Sequence, residues 1–225
     1  MSIVVGLRDE EGVVHLASDS MASNGFTNSS RDICKVNPTR DGDLIIGIVG
    51  EMSLLELQYY EFLPRLQKIP GSDKMNERLE EASEIFRQEL DEYDFITEVK
   101  YNIAETIQGI KQIPKQVPQN HFDGELLIAF QDQMYTMFGD YAMVPVTNDF
   151  IVIGSGTYHG QAAMQMLNWN NDYDPVDKLL SAVTVASDNV LSVGGTVYYT
   201  NTKDCEVQEL VLTEEDIQGG EDGNK

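Results

Sequence analysis

A serine follows the initiator methionine of this chain, and a serine at the start of a chain can do chemistry of its own. A hydroxyl is a weak nucleophile until a neighbouring base takes its proton. A free α-amine, with a pKa of about 7.7–8.0, can be that base near neutral pH. Ser2 can therefore carry nucleophile and base on one residue once Met1 is removed. Such removal is general when a small residue follows, and serine is small.

An aspartate and a lysine form a second candidate group. Asp19 comes just after the apolar run 13–17, and Lys35 lies in the run 33–36. An ion pair between two strands explains them without any chemistry. A buried ammonium close to a hydroxyl and an amine would instead favour their deprotonated forms, provided that the aspartate offsets its burial. The two residues alone leave both interpretations open.

The elements that must position these residues follow from the hydrophobic pattern. Short β-branched runs separated by turn residues predict strands, and apolar residues at helical spacing predict helices. The order is strands, two helices, strands, two helices, strands. The predicted strands are 2–7, 13–17, 33–36, 44–49, 125–130, 134–138, 150–153, 196–200 and 206–212, and the predicted helices are 53–66, 76–110, 158–168 and 175–189.

This block order indicates an α+β fold, a four-layer αββα sandwich of two antiparallel sheets flanked by helix pairs. We assign strands 125–130, 134–138 and 150–153 to the second sheet. One domain is expected over residues 1–212, with an acidic, glycine-rich tail over 213–225.

Composition excludes several function classes. The formal net charge of −23 would repel phosphate backbones, so nucleic acid is a poor partner. No stretch approaches the ~20 apolar residues of a membrane span, and we expect a soluble cytoplasmic protein. Two distant cysteines and three scattered histidines have no metal-ligand spacing, so neither a metal nor another cofactor is expected. The charge itself suits solubility, or selection of basic substrates.

Three segments in order resemble the proteasome β-subunit and its bacterial ring-protease relative, which are N-terminal nucleophile hydrolases. The first is Ser2 to Gly6 with Gly12 to Ser23, which is similar to the family's opening strand and its Ala-Asp-Ser segment. The second is Lys35-Val36 with Ile45 to Gly50. The third comprises Gly154-Ser155-Gly156 and Ser192-Val193-Gly194-Gly195. The resemblance covers the chain to about residue 212.

The resemblance implies roles for particular residues. It places the nucleophile on Ser2, the buried aspartate on Asp19, the lysine on Lys35 and supporting serines on Ser155 and Ser192. Capping and turn roles explain those two serines equally well.

Two further positions carry open assignments. The family's third acid falls on Asn189, with Asp188 one residue earlier, so one of these two would fill that role. The N–H of Gly47 could stabilise an oxyanion, although a packing glycine is the simpler interpretation.

The resemblance further implies a peptidase subunit that cuts polypeptide substrates, in a homo-oligomeric ring that an ATP-dependent unfoldase could serve. Two departures bear on this: the family usually has threonine where this chain has Ser2, and there is one extra residue before Asp19. An amidase acting on a small amide and a non-catalytic structural subunit are the alternatives. Structural subunits of the family typically carry an N-terminal helical extension and do not need Lys35 with Asp19, so we expect the catalytic type.

Overall fold

Two five-stranded antiparallel sheets and two helices make up most of the described fold. The structure is a computed structural model, and it describes residues 2–23, 28–29, 32–38, 44–50, 123–140, 142–169 and 173–210. The strands are β1 (Ile3–Arg8), β2 (Val14–Asp19), β3 (Ala22–Ser23), β4 (Asn28–Ser29), β5 (Val36–Pro38), β6 (Leu44–Gly50), β7 (Gly124–Phe130), β8 (Gln133–Phe138), β9 (Met143–Pro145), β10 (Phe150–Gly154), β11 (Val197–Asn201) and β12 (Gln208–Leu210), and the helices are α1 (Thr157–Leu167) and α2 (Pro175–Asn189).

The first sheet has the strand order β10-β1-β2-β11-β12, and the second has the order β5-β6-β7-β8-β9. Strand β1 lies inside the first sheet, where Ile3 is opposite Gly154 of β10 and Val4 is opposite Ser18 of β2. The chain therefore starts in a central strand rather than at a free edge. A separate two-stranded ribbon pairs β3 with β4.

Alternating side chains of the two sheets share one apolar core. Val4 and Leu16 of the first sheet pack in one cluster with Ile45, Val49 and Leu127 of the second. Residues one step along in β1 point the other way, because successive side chains in a strand face opposite sides. The sheets therefore pack face to face.

The other face of the first sheet is covered by the two helices. Ile3 and Val5 of β1 pack there with Leu179, Val183 and Ala186 of α2. Helix α2 begins as its sequence predicts, with Pro175 in the first turn and the Asp174 carboxylate accepting the Asp177 N–H at 2.8 Å. Neither described helix is long and apolar enough to cross a membrane.

The outer face of the second sheet is buried as well. Ile46, Ile48, Leu126 and Ile128 alternate with the core-facing residues of β6 and β7, and each is at most 1% exposed. The two helices predicted over 53–66 and 76–110 lie outside the described residues. The described part of the chain therefore shows three layers, a helix pair and two sheets.

The prediction that strand 150–153 belongs to the second sheet is wrong. Phe150–Gly154 pairs with β1, at the edge of the first sheet. Strand β9, which the sequence analysis missed, takes the place beside β8, and it ends in Pro145, a residue that edge strands tolerate. Residues 146–149 then cross to the first sheet, where the Arg8 N–H donates to the Asp149 carbonyl at 2.7 Å.

The strand predicted over 33–36 is shifted toward the C-terminus, to Val36–Pro38. The Ile33 N–H donates to the Ser20 carbonyl at 3.1 Å, which ties the residues before Val36 to the loop after β2. The predicted pairing with the next strand is confirmed, since β5 and β6 are antiparallel with Val36 opposite Gly47. Lys35 therefore lies in the segment that crosses between the sheets.

Gly47 sets the spacing between the sheets beside β1. A Cβ at this position would lie 2.6 Å from Cγ1 of Val4, so Gly47→Ala overpacks the core. We expect this change to lower the free energy of unfolding by about 1–3 kcal/mol, measured by denaturant unfolding. Val4→Ala removes the opposing methyl groups and should relieve the clash. The double variant should therefore lose less free energy of unfolding than the sum of the losses in the two single variants. Additive costs would contradict this account.

Candidate active site

Asp19 and Lys35 form a buried ion pair next to the chain start. The Lys35 ammonium donates to Asp19 Oδ1 at 2.5 Å and to the Met21 carbonyl at 2.8 Å, and both charged side chains are 0% exposed. The same carboxylate oxygen accepts the Ile3 N–H at 3.0 Å. Its other oxygen accepts the Gly194 N–H at 3.1 Å. The pair is thus bonded directly to the residue after Ser2.

The charges of this pair depend on each other. Burial raises the pKa of Asp19, while Lys35 and the N–H groups of Ile3 and Gly194 oppose that rise. Burial likewise lowers the pKa of Lys35, and Asp19 opposes that fall. Each ion is charged in the interior only because the other lies beside it. The result is a cation held in one place close to the chain start.

Ser2 is fixed through its carbonyl group. The Ser155 hydroxyl donates to the Ser2 carbonyl at 3.2 Å, and the Gly156 N–H points at the same oxygen at 3.5 Å. Gly154 has a φ of +96°, and a Cβ there would lie 2.3 Å from this carbonyl. Only a residue without a side chain fits so close to Ser2. Ser2 itself is 2% exposed.

Ser192 extends this network through Ser155. Its hydroxyl lies 3.2 Å from the Ser155 hydroxyl. Because the one proton of Ser155 goes to the Ser2 carbonyl, the Ser192 hydroxyl must be the donor to Ser155. The two serines that are 37 positions apart therefore meet at Ser2, which a helix-capping role alone does not explain.

Three predicted site residues have no such contact with Ser2. Asp188 and Asn189 lie exposed in the last turn of α2, and the Asn189 amide donates to the Val185 carbonyl of its own helix at 2.8 Å. Gly47 faces Val4 in the core between the sheets, so packing accounts for a glycine there. The structure thus brings Asp19, Lys35, Ser155 and Ser192 together around the chain start.

A cleft of about 270 Å³ opens beside Ser2. Its described lining comes from the ends of β1, β6, β7 and β10, which meet at one edge of the sandwich. The lining residues are Ser2, Val49, Gly50, Asp123, Gly124, Glu125, Gly154, Ser155 and Thr157.

The sequence analysis missed the two acids of this cleft, Asp123 and Glu125. A signal was present, since Glu125 alternates with Leu127 and Ala129 in an apolar strand and so shares their core-facing side. The part of the molecule that this side of the strand contacts depends on how the two sheets pack. The hydrophobic pattern of one strand does not contain that information.

Other reactive groups in the described residues are weaker candidates for a nucleophile or a metal ligand. Cys34 is next to Lys35, but burial raises the pKa of its thiol to about 11, so it is a poor nucleophile at neutral pH. Within the described ranges no group of three or more His, Cys, Asp or Glu side chains is arranged to hold a metal ion. The polar groups that the structure describes around Ser2 are hydroxyl groups, backbone groups and the Asp19–Lys35 pair.

Solved structures share this fold. BPH of Thiobacillus denitrificans superposes with a TM-score of 0.64 at 17% identity, over 94% of this chain and 100% of that one. BPH in complex with epoxomicin gives 0.61 at 15% identity over 93% and 100%. The eukaryotic HslV from Trypanosoma brucei gives 0.58 at 15% identity over 88% and 98%. No family model and no curated protein matches the chain. The chain thus has the fold of the proteasome-like N-terminal nucleophile hydrolases, as its sequence predicts.

Replacing Lys35 by methionine removes the counter-ion of Asp19 and leaves a buried charge unpaired. We expect the free energy of unfolding at neutral pH to fall by about 3–5 kcal/mol. The double variant Asp19→Asn with Lys35→Met removes both charges and should recover most of this loss. Denaturant unfolding of the four proteins completes the double-mutant cycle. A double variant as unstable as Lys35→Met alone would show that the buried charge is not the cause.

The loss in Lys35→Met should also depend on pH. Without Lys35 the pKa of folded Asp19 rises further above its ordinary value of 3.8. Folded Asp19 then keeps a proton that the unfolded chain has lost, so stability falls as pH rises through this window. The gap in free energy of unfolding between wild type and variant should be larger at about pH 8 than at about pH 5. An equal gap at both would contradict the assignment.

Proposed function

We propose that this protein is a peptidase subunit of the N-terminal nucleophile type, in which Ser2 attacks peptide bonds after Met1 has been removed. The observation that carries the proposal is the buried Asp19–Lys35 pair bonded to the Ile3 N–H. A surface ion pair between strands needs neither full burial nor a backbone bond beside the chain start. An ammonium held there favours the deprotonated forms of a neighbouring amine and hydroxyl.

The proposed reaction uses groups of this chain alone. The α-amine of Ser2 takes the hydroxyl proton as the oxygen attacks the substrate carbonyl, and it then returns that proton to the leaving amine. Water releases the acyl group in a second round. Gly47 lies between Val36 and Leu127 inside the second sheet and packs against Val4, so we assign it no oxyanion role. Ser155 holds the Ser2 carbonyl and Ser192 holds Ser155, so both act as positioning residues.

The proposed site includes no acid of α2 beside Ser2. Asp188 and Asn189 are exposed and make no described contact with Ser2. We propose that the Ser192–Ser155–Ser2 bonds orient the chain start without either of them. An enzyme with this arrangement depends on Asp19, Lys35 and the two serines for its preorganisation.

We also propose the architecture and assembly that the resemblance implies. The buried outer face of the second sheet supports a fourth layer, for which the helices predicted over 53–66 and 76–110 are the candidates. A homo-oligomeric ring in the cytoplasm, with an ATP-dependent unfoldase as a possible partner, completes the proposal. Sedimentation of the purified protein tests the ring, since a monomer of 25.2 kDa and a closed ring differ several-fold in mass.

Turnover of fluorogenic peptides, combined with intact-mass measurement, tests the nucleophile. We expect purified protein to lack Met1 and to cleave peptides, and Ser2→Ala to lose at least about a thousandfold in kcat/KM. Ser2→Thr keeps the hydroxyl and should retain activity. Ser181→Ala, which removes a serine from the middle of α2, is the matched control and should leave kcat/KM unchanged.

Three outcomes would contradict the proposed function. Retained Met1 without turnover would favour a structural subunit, and an active Ser2→Ala variant would remove Ser2 from its role. Cleavage of small amides without cleavage of peptides would favour the amidase. Epoxomicin, which one of the similar BPH structures contains, adds a readout, because under this proposal its binding should be weakened in Ser2→Ala.

A further inference from the structure

Glu125 occupies a position in which a carboxylate is unusual. It is the second residue of β7, on the face that Leu127 and Ala129 turn toward the first sheet. Its ladder partner is Val49 of β6, which also belongs to the core between the sheets. Core-facing positions of a sandwich normally hold apolar side chains. Glu125 is half-buried at the point where this core opens to the cleft beside Ser2.

A second carboxylate reinforces the first. Asp123 precedes β7, is exposed and lines the same cleft. Among the described residues no hydrogen bond or ion pair engages the side chain of either acid, and the described lining contains no lysine, arginine or histidine. Two like charges that line one cleft repel each other, and a cation placed in the cleft would remove that repulsion.

The size of the cleft limits what it can hold. Its volume of about 270 Å³ lies just below the ~300–1,000 Å³ that is typical of sites for whole small molecules. It therefore suits one long side chain of a larger substrate. The cleft lies directly beside Ser2, because Ser2, Gly154 and Ser155 all line it. The Ser155 hydroxyl also donates to the Ser2 carbonyl.

We propose that this cleft binds a positively charged side chain, arginine or lysine, of the substrate next to the bond that is cut, with Glu125 as the main determinant and Asp123 as its support. The identification of the cation as part of a peptide substrate rests on the proposed function. The net charge of −23 favours the same class, since it attracts basic chains to the surface and repels acidic ones.

Binding can be measured without turnover, in the Ser2→Ala protein. The probe is a short peptide amide with one arginine, and its control is the same peptide with citrulline, which is similar in shape and uncharged. We expect the arginine peptide to bind about tenfold more tightly than the citrulline peptide, by titration in NMR or calorimetry. Adding Glu125→Gln should reduce this ratio to below about threefold.

The matched control for Glu125→Gln is Glu11→Gln. Glu11 is exposed in the turn between β1 and β2, at the opposite end of β1 from Ser2, and its replacement removes the same charge from the protein. The ratio of the two peptide affinities should stay near tenfold in Glu11→Gln. A fall in both variants would attribute the preference to overall charge and would overturn the proposal.

Turnover supplies the second readout. Peptides that differ only in the residue beside the scissile bond should be cleaved fastest with arginine or lysine and slowest with glutamate. Glu125→Gln should lower kcat/KM for the arginine peptide about tenfold and should not lower it for a leucine peptide.

The outcomes separate this inference from the proposed function. Equal affinity for arginine and citrulline peptides, or an unchanged ratio in Glu125→Gln, overturns the cation site even if Ser2 proves to be the nucleophile. A Glu125-dependent preference for arginine without any Ser2-dependent turnover supports the cation site and contradicts the peptidase. If the carboxylates instead pair with the α-ammonium of Ser2, the two peptides bind alike, which also overturns the proposal.

Discussion

A single buried carboxylate joins the separate parts of this structure. Asp19 has no exposure to water, and an unpaired ion in that position would cost more than a small domain can tolerate. The groups that offset this cost are the Lys35 ammonium and the N–H groups of Ile3 and Gly194. They come from the crossing segment before β5, from the first strand and from the loop before β11. None of these segments can move without leaving a buried charge unsatisfied, so the position of Ser2 follows from the burial of Asp19.

Close backbone approach is the second constraint on the chain start. Gly154 leaves room for the Ser2 carbonyl, and Gly47 leaves room for Val4. These two glycines allow β1 to lie against β10 within its own sheet and against β6 of the other sheet. The N-terminal end of β1 therefore reaches the edge at which strands of both sheets end, and the cleft forms there. Packing of the sandwich and access to Ser2 are consequences of the same geometry.

The sequence predicts elements better than it predicts their neighbours. Both described helices and most strands follow from local periodicity, whereas the sheet that Phe150–Gly154 joins depends on pairing between distant segments. The resemblance indicated Asp19, Lys35, Ser155 and Ser192 because each is tied to a motif. It could not choose between Asp188 and Asn189. The acid stands one residue before the position that the family pattern gives it, and one step along a helix turns a side chain by about 100°. In the structure both are exposed, because α2 buries its other face on the first sheet.

The distribution of charge around Ser2 bears on how a substrate would lie. The Asp19–Lys35 pair contributes a cation fixed near Ile3, and the cleft contributes the carboxylates of Asp123 and Glu125. In the proposed reaction, an oxyanion formed on a substrate carbonyl would be stabilised by the Lys35 ammonium and destabilised by the carboxylates of the cleft. A positive side chain placed in the cleft would neutralise the carboxylates at the moment when negative charge develops over Ser2. A neutral or acidic side chain there would leave their repulsion in place and raise the barrier. Recognition of the side chain and stabilisation of the transition state would thus be one electrostatic requirement.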